Sequence, residues 1–157
     1  MKKKISPPYR NHWLVLLLTF ITFPLIAQDT EITELSKTSS WEDSALEWGP
    51  CPDFMPAGCN IAILHGDPTK NNVDVFFKVE PNSDIPEHWH TSAERMILVA
   101  GEMEVTYEGE ETQLLTKGSY AYGPAAKPHK ARCGDKGPCV LFIAFEEPLD
   151  AYAVEKE

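Results

Sequence analysis

Positive charge is scarce in this sequence: 14 lysines and arginines stand against 24 aspartates and glutamates, for a formal net charge of −10. Four of those cations, Lys2, Lys3, Lys4 and Arg10, lie before Ala27, where there is no acidic residue, so the remainder carries −14. A surface of that sign repels phosphate backbones and anionic lipid. Nucleic acid and, after the leader, membrane are therefore excluded as expected partners. Long apolar runs are equally few. The only one, Trp13–Ala27, covers 15 residues, short of the roughly 18 to 20 that cross a bilayer. There is no internal repeat, no low-complexity segment and no convincing helical periodicity. Cysteine is absent from the first 50 residues, and histidine occurs only five times.

The positive head, the short apolar stretch and the abrupt change to polar, acidic sequence after Ala27 read as a secretory signal peptide over residues 1–27. An uncleaved membrane anchor is the alternative. The expected address is periplasmic or secreted. Residues 28–59 read as a polar lead-in, with Trp41–Leu46 a candidate for one short helix, and residues 60–157 as the folded domain.

All four cysteines, Cys51, Cys59, Cys133 and Cys139, follow the leader. An exported chain meets an oxidising compartment, so the even count points to two disulfides. The pairs Cys51–Cys59 and Cys133–Cys139 each bracket a tight loop, and closing loops that short contributes about 2.5 kcal/mol apiece. A cysteine zinc site competes with this reading, but neither pair has the separation of two to four residues common in such sites.

From Asn60 onward, short β-type runs are punctuated by turn residues. They fall at Ile61–Leu64, Val73–Val79, Arg95–Ala100, Met103–Tyr107, Thr112–Thr116, Ser119–Tyr122, His129–Cys133 and Cys139–Phe145. Eight or so strands with frequent turns imply an all-β antiparallel sandwich or barrel. Val140–Phe145 is apolar on both faces, and Ile97 and Val99 oppose the Glu94, Met96 and Leu98 side. Either the N-terminal segment or a second subunit covers the outer face, and a homodimer is the preferred reading.

The chemistry concentrates in EHWHTSAERMILVAG, Glu87–Gly101. Side chains two apart on a strand point the same way, so His88 and His90 present two imidazoles on one face, about 6.6 Å apart along the backbone. Glu94 shares their parity but is too distant along an uninterrupted strand. Thr91, Ser92 and Ala93 must therefore turn to bring it back. Imidazoles with a carboxylate favour iron, manganese, nickel, copper or zinc over calcium or magnesium. Of the remaining histidines, His12 leaves with the signal and His65 sits at a turn. His129, delivered by a glycine, a strand and a proline-fixed loop, is left as the fourth ligand.

These two segments resemble the paired motifs of the cupin superfamily. The first motif, G-x5-H-x-H-x3,4-E-x6-G, corresponds to Asn82, His88, His90, Glu94 and Gly101, with asparagine for the leading glycine. The second, G-x5-P-x-G-x2-H-x3-N, corresponds to Gly118, Pro124, Ala126, His129 and Cys133. Here alanine replaces the inner glycine and cysteine the final asparagine. Sixteen residues separate the motifs, as in small bacterial single-domain cupins. The resemblance implies a double-stranded β-helix, or jelly roll, with His88, His90, Glu94 and His129 holding one divalent transition metal inside the barrel. Iron or manganese is favoured, and nickel, copper or zinc is compatible. It also implies an oxygenase or oxidase acting on a small organic substrate. A metal-dependent lyase, a sugar-modifying enzyme and a non-catalytic binding or sensor module are the alternatives. Met96, Leu98, Phe77, Tyr107, Tyr122 and Phe142 are candidate pocket wall. Lys127, which shares parity with His129, is a candidate for a substrate anion, ahead of Arg132.

Overall fold

Runs rich in valine, isoleucine, phenylalanine and tyrosine, each ended within a few residues by glycine, proline or asparagine, can bury their apolar face only by pairing side by side. In the computed structural model, which describes residues 34–155, they do so in eleven strands without a helix. The strands are β1 (Trp48–Pro50), β2 (Asn60–His65), β3 (Val73–Val79), β4 (Asp84–Trp89), β5 (Glu94–Ala100) and β6 (Glu102–Tyr107). Then come β7 (Gln113–Thr116), β8 (Tyr120–Gly123), β9 (His129–Cys133), β10 (Cys139–Phe145) and β11 (Tyr152–Ala153). A six-stranded sheet in the order β1-β2-β3-β10-β5-β8 faces a five-stranded sheet in the order β11-β4-β9-β6-β7. Every pairing is antiparallel, and the result is a jelly-roll sandwich. The expected leader lies outside the described residues. No helix among those residues is long and apolar enough to cross a membrane.

Two local expectations change. Trp41–Leu46 forms no helix but two isolated turns, closed by Asp43 N–H to Ser40 O and Leu46 N–H to Asp43 O. A segment that short gains too few bonds to offset helix nucleation. Within the segment read as lead-in, Trp48–Pro50 instead pairs with β2 as an edge strand. Asp84–Trp89 is a full strand, although Pro86 interrupts its pattern. The register of β4 on β9 shifts between Ile85 and His88, which accommodates a residue with no N–H to donate.

The interior follows strand parity. Cys139, Leu141, Ile143 and Phe145 of β10 stand opposite Val79, Phe77, Val75 and Val73 of β3, and all eight are buried. Leu98 and Met103 complete the centre of the core. The disulfides are Cys51–Cys59 and Cys133–Cys139, and no cysteine is free. Two such bridges suit an oxidising compartment. On the outer face of the larger sheet, Trp48, Ala62, Phe76, Phe142, Ile97 and Tyr120 form one register row across all six strands. Ala62, Phe76 and Val140 are covered within the chain, whereas Ile97, Tyr120 and Tyr122 are exposed.

Candidate metal centre

Four side chains converge from both sheets. His88 on β4 and His129 on β9 are register partners, which sets their rings side by side with centroids 4.3 Å apart. His90 lies one residue beyond the end of β4, its ring 5.0 Å from that of His88 and 5.4 Å from that of His129. Glu94 opens β5, which belongs to the opposite sheet. The intervening Thr91–Ala93 corner therefore does more than fold the chain back along one strand, as the sequence suggested. It carries the backbone from one sheet to the other, so that Glu94 meets the histidines across the interior.

Buried Ser92 fixes this corner. Its hydroxyl donates to Ala93 O and accepts from the N–H groups of Glu146 and Glu147, just past β10. One ring nitrogen from each of His88, His90 and His129 lies within 4.8 Å of the other two, close enough to share an ion. Glu94 approaches from one side, with Oε1 3.3 Å from His90 Nε2 and Oε2 3.5 Å from His129 Nε2.

Each imidazole is oriented by a backbone carbonyl. His88 Nδ1 meets Pro86 O at 2.7 Å, His129 Nδ1 meets Lys127 O at 3.1 Å, and His90 Nδ1 meets Asp150 O. A carbonyl only accepts, so in each ring Nδ1 carries the proton and Nε2 keeps its lone pair for a metal. Burial keeps two of the rings neutral. It pulls His88 down to about 4 against the bond to Pro86, and His129 to about 3, with the neighbouring His88 charge adding to the effect. Burial pushes Glu94 the other way, upward, against the pull of His90. Tyr107, beside His129, is also raised, chiefly by burial and then by the charges of Glu94 and Glu110.

The donors therefore fit a divalent cation. Three lone pairs and a carboxylate face one another in a buried space whose lining includes no lysine or arginine. The missing positive charge is what such an ion supplies, and nitrogen with oxygen donors suits a first-row transition metal. These four side chains lie in a cavity of about 260 Å³. Its walls are apolar, with Met96, Met103, Val105, Leu115, Leu141 and Ile143 prominent. The lining also includes Pro50, Cys51 and Met55 from the N-terminal side and Leu149, Asp150 and Ala151 from the C-terminal tail.

Of the pocket candidates read from sequence, Met96, Phe77 and Tyr107 line this cavity. Tyr122 and Lys127 do not. Tyr122 alternates outward with Tyr120 on the edge strand β8 and is 53% exposed. Lys127 precedes β9 in a loop, and its ammonium pairs with Glu110 outside the cavity. Phe142 likewise faces outward, edge-on to Phe76 at 6.4 Å. Leu98 is fully buried core, His65 is exposed at the end of β2, and Arg132 pairs with Asp84.

Sequence reasoning missed Asp150 and Ser92. Asp150 anchors His90 from 60 residues away, while its carboxylate accepts from the N–H of Thr91 at 2.9 Å and from the Thr91 hydroxyl. No local pattern marks it, because its partners belong to a different part of the chain.

The sequence pattern of the cupin domain matches residues 75–145. Over that segment, from β3 to β10, the barrel is cupin-like. No curated protein matches the chain in sequence. Solved structures do match in shape. The DMSP lyase DddQ from Ruegeria pomeroyi superposes with a TM-score of 0.61 at 19% identity over 69% of this chain and 61% of its own. The polyketide cyclase RemF from Streptomyces resistomycificus gives 0.63 at 17% identity over 77% and 88%. Oxalate decarboxylase from Bacillus subtilis, studied for its Mn(II) centres, gives 0.54 at 19% over 62% and 28%. The chain thus spans less than two thirds of the lyase and under one third of the decarboxylase. At such identities the likeness establishes the fold alone.

The cupin motifs acquire a conformational meaning here. Four of their glycine positions, Asn82, Gly101, Gly118 and Ala126, all have positive φ, at 61°, 82°, 89° and 57°. Asparagine tolerates that region, whereas alanine is strained in it. Gly101 is also confined sterically, since a Cβ there would lie 2.7 Å from Pro138 O and 2.9 Å from Cys139 Sγ. Ala126 donates its N–H to His90 O at 2.8 Å, so the strained residue sits directly against the His90 corner.

Proposed function

We propose that this protein is an exported, metal-dependent cupin enzyme of oxygenase or oxidase type acting on a small organic substrate. One observation carries the reading: three backbone-held imidazoles and a buried carboxylate converge in a small apolar cavity. His88, His90, Glu94 and His129 would hold one divalent transition metal, iron or manganese in the favoured case. When bound, such an ion supplies Lewis acidity and, if redox-active, one-electron chemistry toward dioxygen. The protein's own share is orientation and exclusion of water. The Nδ1 bonds hold the imidazole planes, and Met96, Met103, Leu115 and Ile143 wall the substrate off from bulk solvent, which limits side reactions.

A metal-dependent lyase is the second reading. It is favoured by the Tyr107 phenol, a proton-bearing group in the cavity beside Glu94, since redox-neutral elimination needs proton transfer and no oxidant. Export is supported by the leader sequence and the two disulfides. A homodimer is supported by exposed Ile97, Tyr120 and Tyr122 on the outer face.

The test is metal analysis of anaerobically purified protein, followed by oxygen uptake with a panel of diketones, catechols and flavonols. One iron or manganese per chain with substrate-dependent oxygen consumption is the expected result. Iron with no oxygen consumption transfers the assignment to a lyase or a binding role. Zinc alone argues further against oxygen chemistry.

A further inference from the structure

Tyr107 ends β6 and projects into the barrel beside the metal corner. It is the register partner of His129, and the two rings are 4.9 Å apart. The residue is only 6% exposed. Among the described residues, its hydroxyl is the one buried side-chain polar atom with no hydrogen-bond partner. A buried hydroxyl left without a partner costs stability, so phenylalanine would serve better if Tyr107 only filled the core.

Space has been left beside that hydroxyl. Gly123 closes β8 next to it, and a Cβ there would lie 2.5 Å from the Tyr107 oxygen and 3.0 Å from Glu94 Oε2. Gly123 does not have the positive φ that would require glycine for conformational reasons. Its missing side chain therefore keeps open a gap that both oxygens border.

We propose that Tyr107 is a substrate-binding residue whose hydroxyl donates a hydrogen bond to an oxygen of the ligand, with Gly123 preserving the room for it. This rests on the metal-site reading above. The ligand class follows from the cavity as a whole. No lysine or arginine lines it, so it offers a free carboxylate no side-chain cation. Its walls suit an apolar body. The fitting ligand is a small, uncharged or enolic molecule with two oxygens, one directed to the metal and the other accepting from Tyr107. Diketones, catechols and hydroxyketones have this form.

The experiment loads the full-length protein with Co(II) and titrates it with acetylacetone, following the visible absorption of the cobalt. Cobalt stoichiometry and thermal unfolding are measured alongside. Tyr107→Phe is expected to bind one cobalt as the parent does, to unfold at the same or a higher temperature, and to bind acetylacetone about 5- to 20-fold more weakly. Gly123→Ala is expected to weaken binding as well. A role in packing alone would move the unfolding temperature and not the affinity. Cobalt bound normally, with the Tyr107→Phe Kd within twofold of the parent, overturns the assignment of Tyr107 alone. A parent protein that binds no cobalt overturns the metal site and this proposal together.

Discussion

Asp150 lies outside the segment that matches the cupin domain, yet its backbone carbonyl orients His90, a candidate metal ligand. The carbonyl cannot be mutated, but the side chain that holds it can. In Asp150→Ala, Thr91 loses two acceptors, one for its N–H and one for its hydroxyl. Both bonds are at the surface, so each is worth about 0.5–1 kcal/mol. Together they set a ceiling of about 2 kcal/mol on what His90 loses in orientation, or roughly 30-fold in metal affinity. The tail itself should stay docked. Tyr152 stacks on Trp89 at 4.6 Å, Val154 N–H bonds Glu87 O and Leu149 N–H bonds Pro68 O, all independently of the carboxylate. Competition against a fluorescent zinc chelator should therefore give a Kd about 3- to 30-fold weaker, with unfolding of the metal-free protein little changed. Thr91→Val, which removes only the hydroxyl donor, should lie between parent and Asp150→Ala. A Kd within 1.5-fold of the parent would show that the tail does not orient His90.

Without metal, the depressed values of His88, about 4, and His129, about 3, make the unfolded chain the better proton binder below about pH 6.5. Stability should then fall with pH between about 6.5 and 4 for His88, by roughly 3 kcal/mol at the limit. Glu94, raised by burial, works in the opposite direction, so its protonation favours the fold as pH drops. Urea midpoints at pH 7.5 and 5 should diverge less in His88→Gln than in the parent, and equal slopes would refute this. Replacing Cys133 and Cys139 with alanine should cost about 2–2.5 kcal/mol by urea unfolding, the loop-closure value for so short a loop. A loss below about 0.5 kcal/mol would mean the bridge adds no constraint. Ala126→Gly relieves a left-handed alanine at φ 57°. It should stabilise the protein by about 0.5–1 kcal/mol after the extra freedom of unfolded glycine is subtracted. Destabilisation would show that the alanine methyl makes contacts worth more than the strain.

Local chemistry made part of this protein readable in one dimension. Val73–Val79, His129–Cys133 and Cys139–Phe145 begin and end as strands where alternation and turn residues put them, because those signals act over a few residues. Parity placed His88 and Met96 on the inward side for the same reason. The two short cysteine loops were legible because closure over so few residues leaves little choice of partner. Glycine spacing marked the turns, and the exceptions at Asn82 and Ala126 fall at the same backbone conformation that the motif glycines adopt.

Tertiary structure decided what depends on crossing between sheets. Glu94 reaches the histidines from the opposite layer, which parity along one strand cannot express, because strand periodicity says nothing about which sheet a strand joins. Tyr122 and Phe142 were put on the wrong side for a related reason. An apolar residue on a strand with two apolar faces carries no local mark of which face is the interior. Lys127 left the pocket because the acidic partner it pairs with, Glu110, became its neighbour only when the chain folded. Asp150, Ser92 and the unpartnered phenol of Tyr107 define how the site is held and what it has room to bind. Each is set by contacts between segments far apart in sequence, whose energies exist only once the two sheets have closed.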